Sequence, residues 1–242
     1  MTVTAWDEPV GGTPRGTLVV LPGRGETAAS YERFGRRLSA DAWRVRLVGV
    51  DLDDLDATRE RIEKVLADEA LPAPTVLVGT DAGATLAALL APTLPVDGVV
   101  VAGLALPRSG GARSWGSWEE EVDARTACPV HRRVIAEDDG FGRGGLDRPL
   151  PWGSVRVVAP GKPVLVLHGA DDAVTPVADV LAAYDAQPDA VIRLVDGGRH
   201  DILNDASHRA VAATIVLFLE SLRLGPDLPD VVRAPERNVA VR

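Results

Sequence analysis

The sequence predicts an α/β fold with a mostly parallel, doubly wound sheet, and two observations support this class. First, six short runs rich in Val and Leu recur along the 242 residues. They are mostly apolar and do not alternate apolar with polar residues, as strands buried on both faces require. Second, segments with helical spacing separate the runs, which predicts right-handed βαβ units. The predicted strands are Thr17–Pro22, Val45–Val50, Thr75–Gly79, Val96–Leu106, Pro163–Gly169 and Val191–Asp196.

Five helices are expected between and after these strands. In Tyr31–Ala40, Phe34 and Leu38 lie four residues apart, which places both on one helical face. The second helical segment is rich in charge and alanine. The third is short, small and apolar, as expected of a helix packed under a sheet. The remaining predicted helices are Asp56–Ala70, Ala82–Leu90, Val177–Gln187 and Ala206–Leu222.

One stretch interrupts the alternation of strand and helix. Pro107–Lys162 lacks a buried strand, holds three of the five tryptophans and carries one charged helical run, Trp118–Ala136. A long excursion inside a compact domain is usually a functional lid. A disordered insertion is the alternative, but the tryptophans argue against it. The chain therefore divides into an α/β core of residues 1–106 and 163–224, a lid insertion of residues 107–162 and an extended C-terminal tail of residues 225–242.

The composition argues against several classes of function. Asp plus Glu number 35 and Lys plus Arg 26, and the net charge of −9 disfavours an electrostatic nucleic-acid binder. The single cysteine excludes an intrachain disulfide, which fits a cytoplasmic setting. The first ten residues lack the pattern of a signal peptide, and no apolar run approaches the roughly 20 residues of a membrane helix. We expect a cytoplasmic protein without a membrane span.

Few cofactors and partners are expected. Cys128 and His131 are potential metal ligands, but no partner pair is visible, so neither a metal nor another cofactor is predicted. The expected partner is a small-molecule substrate. The C-terminal tail could pack on a neighbouring copy, which leaves a homodimer open.

The first chemical motif is Gly79-Thr80-Asp81-Ala82-Gly83, where an apolar strand ends and a small-residue helix begins. This pattern is typical of the elbow that presents a nucleophile, and its strained turn needs small neighbours. The N–H groups at the start of the helix point at negative charge formed there. Serine is the usual central residue. Here it is Asp81, for which a helix N-cap is the structural alternative.

Two further motifs also follow strands. Asp172 lies in Gly169–Pro176, on a loop where sites in open α/β sheets form. Its neighbour Asp171 is the other candidate, but the Gly-x-x-Asp spacing favours Asp172. His200 follows a glycine pair after the last predicted strand, from which it can reach a neighbouring loop. The order Asp81, Asp172, His200 is nucleophile, acid and histidine, which is the chain order of one lineage of catalytic triads.

In this order and in its opening segment, the chain resembles the α/β-hydrolase superfamily. Residues 21–45 read LPGRGETAASYERFGRRLSADAWRV and look like the monoacylglycerol lipase and lysophospholipase-like branch, whose loop reads H-G-x-G-E. The resemblance covers most of residues 15–223 and implies a single α/β-hydrolase domain with a short helical lid. Two positions depart from that branch. Pro22 stands where it has histidine, and Asp81 stands where it has the nucleophilic serine.

The resemblance also implies roles around the elbow. The backbone N–H groups of Arg24 and Ala82 would form an oxyanion hole. The Arg24 side chain could be aimed at a substrate carboxylate, although the sequence alone favours a solvated loop charge. Trp115 and Trp118 are expected to line the substrate entrance, because aromatic side chains on a polar lid otherwise lack a reason to be there.

An aspartate at the elbow is similar to that of haloalkane dehalogenases and epoxide hydrolases. A carboxylate attacks a strained or activated sp³ carbon to form an ester, and His200, oriented by Asp172, then activates water to hydrolyse it. The match is incomplete. The Trp that often follows the aspartate in those families is Ala82 here. Epoxide hydrolases also use two tyrosines of the lid to protonate the opening oxide, whereas Tyr31 and Tyr184, the two tyrosines of this chain, lie outside the lid.

The sequence thus predicts a hydrolase of a small organic substrate that uses an aspartate nucleophile. Three alternatives stay open. The protein could be an esterase or lipase whose serine has been replaced, or a catalytically silent member that binds a ligand. It could also be a cofactor-free lyase or isomerase with His200 as base and Asp81 as a fixed charge.

Overall fold

Residues 3–107 and 114–233 are described by the computed structural model, and their strands form one seven-stranded sheet. The strands are β1 Val3–Trp6, β2 Gly16–Leu21, β3 Trp43–Val48, β4 Thr75–Thr80, β5 Gly98–Leu104, β6 Val164–Gly169 and β7 Val191–Val195. Their order across the sheet is β1-β3-β2-β4-β5-β6-β7. Every neighbouring pair is parallel except β1 with β3.

The helices of the described residues cover both faces of this sheet. They are α1 Ala28–Ala40, α2 Leu55–Leu66, α3 Asp81–Leu90, α4 Trp118–Arg125, α5 Pro129–Glu137, α6 Val177–Tyr184 and α7 His208–Leu224. One hydrophobic cluster joins α1 and α7 to the sheet, and a second joins α2, α3 and α6 to it. Val19 and Val20 of β2 belong to different clusters, so this strand is buried on both faces, as its apolar sequence predicts.

The predicted α/β class with a mostly parallel sheet is confirmed, and each of the six predicted strands and five core helices is present. β1 was not predicted. It has only four residues and lies at the sheet edge, where Trp6 alone is buried, so it lacks the apolar run of an inner strand.

The single helix predicted over Trp118–Ala136 is wrong, because two helices occupy this stretch. Pro129 is the first residue of α5, the position where its missing N–H removes no helical hydrogen bond. Between the helices, the Asp205 carboxylate accepts hydrogen bonds from the Thr126 hydroxyl and the Ala127 N–H, which fixes the break.

The proposed lid and tail lie partly within the described residues. Residues 114–162 hold α4, α5 and a 3₁₀ turn, Gly145–Asp147, whereas residues 108–113 lie outside the description. Residues 225–233 form neither helix nor strand, and Leu228 packs against the first cluster. Residues 1–2 and 234–242 also lie outside the description. None of the helices described has the length and apolar content that a membrane crossing requires.

Candidate active site

The turn between β4 and α3 holds Asp81 in a strained backbone conformation. Its φ angle is +49°, a region that side chains other than glycine rarely adopt. Gly79 and Gly83 permit the turn. A Cβ on Gly79 would overlap the backbone of Gly83, and a Cβ on Gly83 would lie 2.5 Å from the carbonyl oxygen of Pro22. Such strain persists only where the surrounding structure imposes it, and it clusters at functional sites.

Replacing Gly83 with alanine should lower the free energy of unfolding by about 1–3 kcal/mol, because the new Cβ meets backbone atoms that cannot move aside. The loss is expected although alanine is the better helix former. Gly153→Ala is the matched control, since its Cβ would meet nothing within 4 Å. Urea denaturation measures both variants, and equal stabilities would contradict the crowding of the elbow.

Asp81, Asp172 and His200 lie in one hydrogen-bonded row, although they come from three separate motifs. His200 Nε2 is 3.0 Å from Oδ1 of Asp81, and His200 Nδ1 is 2.8 Å from Oδ2 of Asp172. The other carboxylate oxygen of Asp172 accepts two backbone N–H groups of the following turn, which orients the side chain. Asp171 is exposed. The histidine therefore contacts Asp172, the residue that the Gly-x-x-Asp spacing favours.

Arg24 covers the Asp81 carboxylate from a second direction. Its guanidinium donates from Nη2 to Oδ1 at 2.7 Å and from Nε to Oδ2 at 2.9 Å, and its backbone N–H donates to Oδ2 at 2.7 Å. Nη1 donates to the carbonyl oxygens of Leu146 and Arg148 in the lid. Arg24 is only 7% exposed, so the solvated loop charge favoured from the sequence is wrong. A buried carboxylate needs a partner charge, and Arg24 provides it.

The row carries an extra proton in its resting state. Burial by itself lowers the pKa of His200, but the charge and hydrogen bond of Asp172, with those of Asp81, raise it to about 10. Burial raises the pKa of Asp81, yet the charge of Arg24 and the hydrogen bond from His200 bring it well below its ordinary value. Burial likewise opposes ionisation of Asp172, and the charge of His200 still lowers its pKa. An imidazolium thus lies between two carboxylates.

This imidazolium should make the stability of the fold depend on pH. His200 titrates near 6.5 when unfolded and near 10 when folded, so the folded state holds an additional proton between these values. The stabilisation is complete below about pH 6.5 and is lost as the pH rises to about 10. Relative to His200→Gln, we expect the free energy of unfolding of the wild type to fall over this window by on the order of a few kcal/mol.

Urea denaturation of both proteins at successive pH values measures this difference. The groups that face the imidazole ring are the carboxylates of Asp81 and Asp172 and the imidazole of His168. A difference that stays constant from pH 6.5 to 10 would show that His200 is neutral in the folded protein.

A second buried network, which the sequence did not predict, joins the lid to the loop of Arg24. The Arg125 guanidinium is fully buried and donates to Glu121, to Asp201 and to the carbonyl oxygen of Arg24. Glu121 also accepts the N–H of Leu146. The contact between Arg125 and Arg24 spans 101 positions, so no local pattern could indicate it.

Glu26 fixes the loop that carries Arg24. Its carboxylate accepts the N–H of Gly23 at 2.6 Å and the hydroxyl groups of Tyr31 and Thr80. Burial and a neighbouring carboxylate charge raise its pKa. The only sequence signal for this residue is its place at the end of the opening loop motif.

Glu26, His131 and Asp201 form the group of described side chains whose spacing could hold a metal ion, with donor atoms within 4.8 Å of one another. Nε2 of His131 is 3.2 Å from Asp201, and Arg125 contacts the same carboxylate. A positive side chain therefore already pairs with one of the two carboxylates of this group. Cys128 has a different partner, because its sulfur accepts a hydrogen bond from an arginine at 3.5 Å.

The remaining predicted site residues lie beside the row and in the lid. Ala82 is buried in the first turn of α3, where backbone N–H groups have no intrahelical acceptor. Trp115 is buried against Leu146, whose carbonyl oxygen contacts the guanidinium described above. Trp118 packs edge-on against Phe141 within the lid, with ring centroids 5.6 Å apart. A substrate entrance lined by the two tryptophans stays a prediction.

A polar cavity of about 360 Å³ adjoins Arg24 at the carboxyl ends of β2 and β3. Its charged lining residues are Arg24, Arg61, Arg148, Glu26, Asp51 and Asp53. The residues that line this cavity include no aromatic side chain, and therefore neither of the lid tryptophans. Ligand sites for apolar groups are walled mainly by hydrophobic and aromatic residues. These walls therefore suit a small polar molecule better than a long acyl chain.

No protein-family model matches the chain, and no curated protein matches its sequence. Solved structures do match. The chain is similar to the monoacylglycerol lipase of Paleococcus ferrophilus, with 19% identity and a TM-score of 0.68 over 91% of this chain and 98% of that one. It is similar to a soluble variant of monoglyceride lipase from Saccharomyces cerevisiae in complex with a substrate analogue, with 15% identity and a TM-score of 0.70 over 91% of each chain.

A third similar structure is MenH from S. aureus, with 16% identity and a TM-score of 0.65 over 91% of this chain and 98% of that one. At these identities the likeness concerns the fold. The chain has the α/β-hydrolase fold in a single domain, as the resemblance in its sequence implied.

Proposed function

We propose that this protein is a hydrolase of a small organic substrate and that Asp81 is its nucleophile. The observation that carries the proposal is the row of Asp81, His200 and Asp172 on a strained elbow at the carboxyl edge of the sheet. A carboxylate is already ionised and needs no base to remove a proton before it attacks. The lowered pKa of Asp81 supports this role.

The reaction has two steps. Asp81 attacks an activated sp³ carbon, an ester bond forms, and the leaving group departs with the electron pair of the broken bond. Water then attacks the carbonyl carbon of that ester and gives a proton to His200. The tetrahedral intermediate is stabilised by the N–H groups of Arg24 and Ala82. Collapse releases an alcohol, which takes its proton from His200, and the hydroxyl proton left on the Asp81 carboxyl group then passes to the imidazole. This restores the resting carboxylate and imidazolium.

The charges of the row suit this order of events. In the resting state His200 is protonated and cannot act as a base. Once Asp81 is an ester, its negative charge is gone, and the pKa of His200 falls because Asp81 was one of the groups that raised it. The imidazole then releases a proton to water. His200 becomes a base in the step that needs one.

The proposal is tested by incubating the protein with alkyl halides, epoxides and activated esters and measuring its intact mass. A covalent adduct on the Asp81 peptide, together with turnover, supports the nucleophile. In water enriched with heavy oxygen, turnover should slowly label the Asp81 carboxylate, because water attacks its carbonyl carbon. Ester turnover that arises only in Asp81→Ser would instead support an esterase that has lost its serine.

A second candidate function is favoured by the contact between Arg24 and Asp81. A carboxylate that accepts hydrogen bonds from a guanidinium on both oxygens is a weak nucleophile while the pair persists. A catalytically silent protein that binds a ligand beside this pair would need no exposed nucleophile. Tight binding of a compound, with neither adduct nor turnover in the panel, would support this function.

A further inference from the structure

We infer that Arg24 selects substrates that carry a carboxylate, because such a group can replace Asp81 as the partner of the guanidinium and so free the nucleophile. The inference rests on the proposed nucleophilic role of Asp81 and adds a substrate class to it. The class is small carboxylic acids that bear a leaving group on a carbon next to the carboxylate.

Asp81 is blocked in the resting structure. Its Oδ1 faces Nη2 of Arg24 and Nε2 of His200, and its Oδ2 faces Nε and the backbone N–H of Arg24. Each oxygen accepts from at least two donors, and the side chain is only 2% exposed. Attack on a carbon atom requires the guanidinium to give up at least one of these bonds.

The guanidinium of Arg24 is anchored independently of Asp81. Nη1 donates to the carbonyl oxygens of Leu146 at 3.2 Å and Arg148 at 2.8 Å, and the carbonyl oxygen of Arg24 accepts from Arg125. These hydrogen bonds keep the guanidinium buried when its bonds to Asp81 break. An unpaired buried charge is strongly unfavourable. A neutral substrate incurs this penalty, whereas a substrate carboxylate takes the vacated position on the guanidinium.

Arg24 is among the residues that line the polar cavity at the carboxyl ends of β2 and β3, although its side chain is largely buried. A molecule in this cavity therefore lies next to Arg24. The other charges of the cavity walls are partly paired. Arg148 is 3.2 Å from Asp53, and Arg61 donates to the carbonyl oxygen of Gly49. Of the three arginines that line the cavity, Arg24 is the one that bonds Asp81.

The chemistry follows from this position. The substrate carboxylate binds Arg24, and the adjacent carbon, which carries the leaving group, faces the freed oxygen of Asp81. The new C–O bond forms as the bond to the leaving group breaks, and that group leaves with the electron pair. Hydrolysis of the ester then gives a hydroxy acid and regenerates Asp81.

Two compounds of equal size provide the test, 2-bromopropionate and 2-bromopropionamide. Each is incubated with the His200→Gln variant, in which the adduct is expected to persist, and labelling of the Asp81 peptide is followed by mass spectrometry. Each rate is divided by the rate of the same compound with free acetate in solution. We expect the acid to label Asp81 at least about 100-fold faster than the amide, because the amide leaves the guanidinium as an unpaired buried charge. Equal corrected rates would overturn the inference.

Substitutions in the same His200→Gln background show which arginine is responsible for the preference for the acid over the amide. Arg24→Met removes the guanidinium and retains an unbranched side chain of similar reach, and the preference for the acid should disappear. Arg61→Met removes another arginine of the same cavity that does not contact Asp81. It should leave the ratio of acid to amide within about twofold. Loss of the preference in both variants would assign it to the general charge of the cavity and overturn the role of Arg24.

A binding measurement separates this inference from the nucleophilic role. In Asp81→Asn the guanidinium lacks its anionic partner, so propionate should bind, as measured by calorimetry, at least about tenfold more tightly than to the wild type. Propionamide should not bind, and the double variant with Arg24→Met should bind neither. Circular dichroism verifies the fold of each variant, and the labelling comparison does not depend on Asp81→Asn folding.

The two ideas fail in different ways. Labelling of Asp81 at equal rates by acid and amide would refute the selection by Arg24 and leave the nucleophile standing. Propionate binding that depends on Arg24, without labelling by any compound, would refute the nucleophile and support Arg24 as a carboxylate-binding residue. A folded Asp81→Asn variant that fails to bind propionate would overturn the inference.

Discussion

The His200→Gln variant should react once with a substrate and then stop, with one equivalent bound as an ester of Asp81. The first step needs no base, because the carboxylate is ionised in the resting site. The second step needs His200 to take a proton from water, and loss of a general base slows such a step by about 10²- to 10⁴-fold. Intact-mass measurement after mixing with excess reactive substrate should show a single added group that persists.

His208→Gln is the matched control, because His208 lies at the start of α7 and bonds a backbone carbonyl rather than the row. It should turn over substrate like the wild type. Asp81→Asn should acquire no adduct. If the His200 variant never accumulates an ester with any compound that the wild type consumes, the covalent mechanism is excluded, and Asp81 is then an anchor for Arg24 or the relic of a serine.

Asp172→Asn should reduce turnover by up to about 10⁴-fold. The carboxylate of Asp172 is 2.8 Å from Nδ1 of His200, and it both selects the tautomer and raises the pKa of the ring. An amide at this place can present its NH₂ group to the ring and favour the wrong tautomer. The rate of product release and the steady-state amount of Asp81 ester should be measured together.

Because His200 acts on the second step, the Asp172 variant should accumulate the ester rather than fail to form it. Asp171→Asn provides the comparison, since the neighbouring side chain is exposed and the same charge is removed. It should retain nearly full turnover. If Asp171→Asn is the variant that loses activity, the assignment of the acid is wrong.

The sequence contained enough information for the sheet and for the positions of the row. Inner strands of a parallel sheet are apolar on both faces, so they stand out as continuous runs such as Thr75–Gly79. Residues just after such strands meet at one edge, and this is why the sequence alone groups Asp81, Asp172 and His200. Local residue types were sufficient because each functional residue follows its own strand.

The environment of Arg24 could not be predicted in this way. Its side chain bonds Asp81, 57 positions away, and carbonyl oxygens of the lid more than 120 positions away. A backbone carbonyl carries no residue-specific signal. The sequence therefore does not distinguish an arginine anchored by two carbonyl oxygens from a solvated arginine of a loop. The break at Pro129 is different: the single helix predicted there was wrong although a local signal exists, because proline favours the first position of a helix.

The bond from Arg125 to the backbone of Arg24 bears on how this protein could acquire a new specificity. A covering segment that only shields a pocket can be exchanged as a module. Here residues 114–162 also hold the loop whose amide faces Asp81, because Arg125, with its partner Glu121, donates to the carbonyl oxygen of Arg24. A transplanted segment without this pair would leave that amide unsupported. Changes of substrate range are therefore best sought among the cavity residues behind Arg24, and exchange of the whole lid should abolish the site that it was meant to alter.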